Sequence, residues 1–330
     1  MAGFTAPRPA FRPLQSRNAC QSWAPGRMFE ASHERPRGEP AAFPDDPGVE
    51  GSAAEQFDLQ RAVGAARVVF SGAANGTQIS DIYQKFPMAV AFPNIDDRRC
   101  KEVVLINTSG GVAGGDEMRI EVVARGNASV AVTTQAAEKV YRALDRPARI
   151  LTRLRAEGSA RLAWLPQETI VFNQARIARQ TELDVSSGAE LVALEWLVLG
   201  RIESGEEILG GHIQDSWRIR IDGRLVWADG FLASDQTFPQ LRKTALLSNW
   251  RAIATMVYFG PRLESRLERL REIGASLECA CGVTIVGAII VIRVAAIASA
   301  DLRRGLRRFL DQLNHELGSG PFGVPKMWSC

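Results

Sequence analysis

Three segments of this chain begin alike and then alternate: GNASVAVTTQ at 126–135, GSARLAWLPQ at 158–167 and GAELVALEWL at 188–197. Each opens on a glycine with an alanine close behind, and the openings are 32 and 30 residues apart. Period-2 alternation sends successive side chains to opposite faces of a strand. A strand that returns at this interval points to stacked β layers rather than a βαβ wind. No other feature of the sequence restricts the fold as much.

The flanking segments fit the same architecture. ARVVFSG and TQISDIYQKF read as strands joined by the turn GAANG, with Asn75-Gly76 supplying positive φ values. FPMAVAFP, bracketed by prolines, suits an edge strand, while KEVVLINT and MRIEVVARG flank a glycine-rich loop. Further strands are expected at 147–154, 170–179, 207–221, 224–232 and 250–259, and Val283 to Ala298 reads as one buried strand or two. Only two segments carry a helical period. GPRLESRLERLREIG has Pro261 at its start, Leu263, Leu267, Leu270 and Ile273 on one face, and Gly274 as a stop. SADLRRGLRRFLDQLNHELG gathers Leu302, Leu306, Phe309, Leu310, Leu313 and Leu317, with Ser299 as cap and Gly318 as end. The opposite faces are arginine-rich, as a solvated surface or a docking face would be. The expected fold is mainly β: a layered or helical β-structure of many short strands with two α-helices in the C-terminal third.

Composition narrows the function. Residues 1–40 hold six arginines and three glutamates; removing them from 40 basic and 37 acidic residues leaves 34 of each. A neutral body offers no broad surface for nucleic acid. The apolar run Val283 to Ala298 contains Arg293 and is shorter than the roughly 20 residues of a membrane span. Residues 1–55, rich in Pro, Gly, Ala and Arg without apolar period, read as a disordered leader, and 56–330 as a single β-rich domain. Five cysteines without framework spacing suit reduced thiols in a cytoplasm. Cys279 and Cys281 form a C-x-C pair, which on a strand places two small side chains on one face; no second pair completes a closed tetrahedral metal site.

The glycine-rich loop LINTSGGVAGGDEM (Leu105 to Met118) invites a phosphate reading, which fails. A P-loop needs lysine where Asp116 stands and a hydroxyl where Glu117 stands. A dinucleotide fingerprint needs a helix next, whereas MRIEVVA alternates as a strand. Glycines 110, 111, 114 and 115 instead suggest a tight corner between β layers. The three histidines, His33, His212 and His315, belong to no catalytic or metal motif. Carboxylates do recur beside unusual sequence: Asp116, Glu138, Glu168, Glu195, Glu203 and Glu206. They suit structural pairing, transient metal passage or, as the alternative, a β-scaffold hydrolase using paired carboxylates.

Five motifs in order now carry a resemblance: GGVAGGD (110–116), TTQAAEKVYR (133–142), LAWLPQETIVF (162–172), LGRIESGE (199–206) and DSWRIRIDGRLVWAD (215–229). Together they resemble the urease accessory protein family UreD, also called UreH, and VPKMW (324–328) resembles that family's closing segment. The long leader, FPMAVAFP and the C-x-C segment depart from its pattern. The resemblance implies a layered β fold, no enzymatic activity and a scaffold role in urease maturation. It implies UreF-like and UreG-like accessory proteins and apo-urease as partners, and Ni2+ in transit rather than a tightly bound cofactor. Carried over residue by residue, Asp116, Glu138, Glu168 and Glu206 are candidate nickel-path residues. Gly110, Gly111, Gly114, Gly115, Thr133, Thr134, Gln135, Gln167, Arg201 and Gly205 form the matching structural or partner motif. Two readings stay open: oxygen groups lining a channel, or polar groups satisfying backbone amides at layer corners.

Overall fold

The computed structural model describes residues 61–93, 100–318 and 320–329. The leader expected over 1–55 lies outside the described residues.

The three repeated segments become β6 (Ser129–Thr134), β9 (Arg161–Trp164) and β12 (Glu190–Leu199), which lie side by side and parallel. The strands that precede them, β5 (Glu117–Arg125), β8 (Ala148–Ala156) and β11 (Arg176–Val185), pair in the same order in the sheet opposite. The chain thus climbs one rung per repeat, crossing from one sheet to the other at a shared corner. Gly126, Gly158 and Gly188 stack there. Ser159 N–H donates to the Gly126 carbonyl at 2.8 Å, and a Cβ on Gly188 would stand 3.0 Å from the Gly158 carbonyl oxygen. The repeating glycine therefore marks the place where successive rungs approach most closely.

Antiparallel strands close both ends of the stack. The first sheet runs from β14 (Arg224–Ser234) and β13 (His212–Ile221) through β11, β8 and β5 to β1 (Val63–Ala73) and β2 (Gly76–Lys85). The second runs from β16 (Ala280–Val286), β17 (Ile289–Ala296) and β15 (Ala252–Phe259) through β12, β9 and β6 to β4 (Lys101–Asn107) and β3 (Met88–Ala91). As its flanking prolines predict, β3 is an edge strand. Two short strands, β7 (Glu138–Val140) and β10 (Thr169–Val171), extend the second sheet into a third side of each rung.

Two cores result. Val68, Phe70, Val122, Leu154, Leu162, Ile177 and Leu191 fill the space between the sheets. Ala163, Leu194, Trp196 and Met256 point away from it, and helices α2 (Leu263–Ala275) and α3 (Ser299–Glu316) cover them. All six positions predicted for the α3 stripe are buried. The fold is mainly β and layered, with both expected helices in the C-terminal third.

Several local expectations need correction. Gly76 alone supplies positive φ in the first hairpin; Asn75 does not. The strand expected over 170–179 is two strands, because Gln174 at φ 64 breaks the run between β10 and β11. The strand expected from 207 begins at His212. Gly274 does not stop α2 but lies within it, where a Cβ would stand 2.8 Å from Cys281 Sγ. Ser299 is the first residue of α3 rather than a side-chain cap. Only β17 of the apolar run is buried; β16 alternates between exposed and half-buried residues. A short helix, α1 (Phe238–Leu241), has no counterpart among the expected elements.

Candidate functional site

The glycine loop between β4 and β5 folds back onto the third side of the rungs. Val112 N–H donates to Lys139 O at 2.8 Å and Val112 O accepts from Tyr141 N–H at 2.9 Å, so the loop adds a bridge beside β7. That approach leaves no room for side chains. A Cβ at Gly111, whose φ is 149°, would stand 2.5 Å from Tyr141 Cε2, and one at Gly114 would stand 2.5 Å from Arg146 O. Gly110 and Gly115 also take positive φ, and Tyr141 Oη donates to Gly110 O at 2.9 Å.

Asp116 closes the corner. One carboxylate oxygen accepts Ala62 N–H at 2.9 Å, the other accepts Ala113 N–H at 2.8 Å, and the residue is buried. Behind it, Asn107 Nδ2 donates to both oxygens of Glu138 at 3.1 Å and to Gly111 O at 3.2 Å. Burial pushes the Glu138 carboxyl up to about 7, with nearby Asp116 adding to the rise, against the opposing hydrogen bonds of Asn107 and the Lys139 amide.

TTQ and LPQE, separated by one rung in sequence, are one motif in space. Thr133 Oγ1 donates to Leu165 O at 2.7 Å, Thr134 Oγ1 accepts Gln167 N–H at 2.9 Å, and Gln167 Nε2 donates to Gln135 O at 2.7 Å. Arg303 of α3 reaches into this corner, donating to Gln167 Oε1 at 3.0 Å and pairing with Glu168. Its guanidinium lies 5.4 Å from the Trp196 ring centroid and 5.9 Å from that of Trp328. Trp328, in the C-terminal segment, is buried and donates Nε1–H to Leu165 O at 3.1 Å.

Glu206 stands apart from these residues. It accepts from Arg201 Nε at 3.0 Å and from the Arg201 amide at 2.9 Å, and Arg201 in turn covers the Phe172 ring. Hydrogen bonding from the Arg201 side chain holds the Glu206 carboxyl below its ordinary range. Gly205, at φ 70°, ends the short 3-10 turn Ile202–Ser204 between them. The structure thus brings Asp116 and Glu138 into one corner, sets Glu168 on Arg303 and leaves Glu206 on Arg201. Among the described residues no group of three or more His, Cys, Asp or Glu side chains stands as a metal-holding cluster.

The strongest concentration of charge lies between the sheets. Arg179 donates to Asp215 through Nε at 3.0 Å and a terminal nitrogen at 2.7 Å, and to Glu195 at 2.6 Å. Glu195 also accepts from Trp164 Nε1 at 2.8 Å and Thr181 Oγ1 at 3.3 Å. All three ions are buried. Burial raises the Glu195 carboxyl against the pull of Arg179; the Arg179 guanidinium, in spite of burial, is held more firmly protonated by Asp215 and Glu195. One cation and two anions leave a formal surplus of one negative charge. Glu195 and Asp215 form one wall of a cleft of about 420 Å³ between the sheets, whose lining also includes Asp229, Trp217, Trp250 and Arg293. Asp229 and Arg293 form an ion pair across it. Sequence reasoning noticed Glu195 but missed Arg179 and Asp215. Strand parity held the clue: Ile177, Arg179, Thr181 and Leu183 share the inward face of β11, as Ile213, Asp215, Trp217 and Ile219 do on β13.

These features define a layered β protein whose charged groups brace corners and line a cleft between the sheets. The family model described as UreD urease accessory protein matches residues 62–329. A urease accessory protein UreD of Xanthobacter autotrophicus is 38% identical over 286 residues, covering 87% of this chain and 96% of that protein. A UreD of Azorhizobium caulinodans is 35% identical over 270 residues (82% and 97%), and one of Rhizobium etli is 37% identical over 271 (82% and 96%). The chain belongs to the UreD urease accessory protein family, and its role lies in urease maturation.

Proposed function

We propose that this protein is a non-enzymatic scaffold that binds apo-urease together with UreF-like and UreG-like accessory proteins in the cytoplasm, and that it passes Ni2+ toward the urease active site. Family membership supports the maturation role, and the carboxylate-walled cleft that opens between the sheets is the observation that carries the metal passage. Oxygen donors present singly or in pairs hold a borderline cation weakly enough to release it. Asp116, Glu138, Glu168 and Glu206 remain candidates for outer steps of that path. Of the four, Glu138 is the carboxylate whose oxygens meet a neutral amide side chain rather than an arginine or a pair of main-chain amides. The hydrolase alternative is disfavoured by Arg179, which engages both Glu195 and Asp215 in ion pairs and so leaves neither as an unpaired acid or base.

The test is reconstitution in cells expressing a complete urease gene cluster, with this chain tagged and the nickel content of purified urease measured. Glu195→Gln combined with Asp229→Asn should leave the co-purifying complex intact and lower nickel several-fold. Full loading by that variant and by Glu138→Gln would sink the passage reading.

A further inference from the structure

The way into the cleft runs along one cross-strand row of the second sheet. Glu195 of β12 stands opposite Thr255 of β15, Thr255 opposite Arg293 of β17, and Arg293 opposite Gly282 of β16. The first three face the first sheet, because Leu197, Val257 and Val291, two residues away on the same strands, pack in the core between the sheets. Gly282, on the edge strand, ends the row without a side chain, and a Cβ there would meet nothing within 4 Å. Burial falls along the row: Glu195 is buried, Thr255 half-buried, and Arg293 and Gly282 are exposed. Arg293 is therefore the last side chain between the buried carboxylate and the open edge.

That side chain is latched. Its guanidinium donates to Thr255 Oγ1 at 3.1 Å and pairs with Asp229 of β14, the edge strand of the opposite sheet. Three carboxylates line the cleft, Glu195, Asp215 and Asp229, and Arg179 already engages the first two. The two arginines are held differently. Arg179 is 4% exposed and donates to Asp215, Glu195 and Thr169, so it is fixed in place. Arg293 is 54% exposed, with water beside it. An exposed ion pair exchanges partners at little cost, whereas breaking a buried one leaves an uncompensated charge.

We propose that Arg293 is a gate arm for divalent cations at the mouth of this cleft, closed on Asp229 and opened when a cation takes its place there. A guanidinium at the mouth repels an arriving cation and neutralises the first carboxylate that the cation would meet. When the arm swings into water past the bare Gly282, three carboxylates stand against the single guanidinium of Arg179. The arm thus sets how weakly a metal is held. Gating of nickel in particular rests on the passage reading given above.

Equilibrium dialysis of the full chain against Ni2+ tests this. Arg293→Gln should tighten binding by roughly tenfold, and adding Asp229→Asn should cancel that gain. Arg293→Lys should stay close to wild type. Arg125→Gln releases Glu157 from an exposed pair elsewhere on the surface and should change nothing. Thermal melting identifies a variant that fails to fold; if Arg293→Gln does, Arg293→Met, which keeps the stem, gives the decision. No gain on removing the Arg293 charge, an equal gain in Arg125→Gln, or a gain that survives Asp229→Asn would each overturn the gate. Retention in the cleft should also lower nickel in reconstituted urease. Tighter binding with fully loaded urease keeps the gate and removes the passage, while unchanged binding removes the gate whatever urease contains.

Discussion

The two outer faces of the sheet stack solve the same problem in opposite ways. On the second sheet, β12 reads ELVALEWLVL, because Leu191, Ala193 and Leu197 face the inner core while Val192, Leu194, Trp196 and Val198 lie under helices and the C-terminal segment. On the first sheet, β11 reads RIARQTELDV, with alternate residues in water and charges arranged in cross-strand ladders. A strand covered on both sides loses its alternation, and one covered on a single side keeps it. The cover is apolar and stabilises in proportion to area removed from water; the ladder is solvated and contributes little. One face is sealed by apolar cover, and the other presents solvated ion-pair ladders.

That contrast can be broken at several points. Trp328→Ala removes the last piece of the cover and should cost about 3–5 kcal/mol in denaturant unfolding. A loss below about 1 kcal/mol would mean that the C-terminal segment seals nothing. Gly305→Ala drives a Cβ to within 2.5 Å of Cys279 Sγ where α3 meets the second sheet. It should destabilise by about 1–3 kcal/mol, and Cys279→Ala in the same chain should recover most of that in a double-mutant cycle.

Glu138 lies at the seam on the third side of the rungs. Burial raises its carboxyl from 4.5 to about 7, so the folded protein keeps a proton that the unfolded chain gives up at lower pH. Its favourable contribution is fully present below the unfolded value and is lost as pH rises through about 7. Glu138→Gln should therefore flatten stability between mildly acidic and mildly alkaline pH, with a gain on the order of 1–3 kcal/mol at the alkaline end. An unchanged pH slope would place that carboxylate in water. The smallest effect belongs to the ladder: Glu182→Ala should cost at most about 1 kcal/mol, shrinking further in high salt.

Legibility follows the same division. The rungs could be read because GNAS, GSAR and GAEL each pair a corner glycine with period-2 alternation, and parallel pairing of β6, β9 and β12 is the direct result. Helix α3 could be read because a buried stripe demands apolar residues at fixed spacing. The site was harder. Arg179 sits in a strand full of charges, and nothing local separates the one arginine that turns inward from its outward neighbours except parity with Ile177 and Thr181. The function of Gly274 was hidden for a related reason: a helix-terminal glycine and a glycine under a thiol look alike until Cys281 is brought across by the β16 pairing. Contacts decided by how strands pair and helices dock leave no trace in local spacing.

The bond from Trp328 Nε1 to Leu165 O spans 163 residues, and it bears on how the chain is made. At synthesis rates of roughly 5–20 residues per second, Leu165 leaves the ribosome about ten to thirty seconds before the tryptophan that covers it. Neighbouring rungs can pair as they emerge, yet Leu194 and Trp196 stay bare until the final helix and tail arrive. A nascent chain, or one that stops short of Trp328, therefore presents a sticky flank that the longer chain covers, and loss of residues 324–329 would turn this urease-maturation factor into a client for chaperones and proteases.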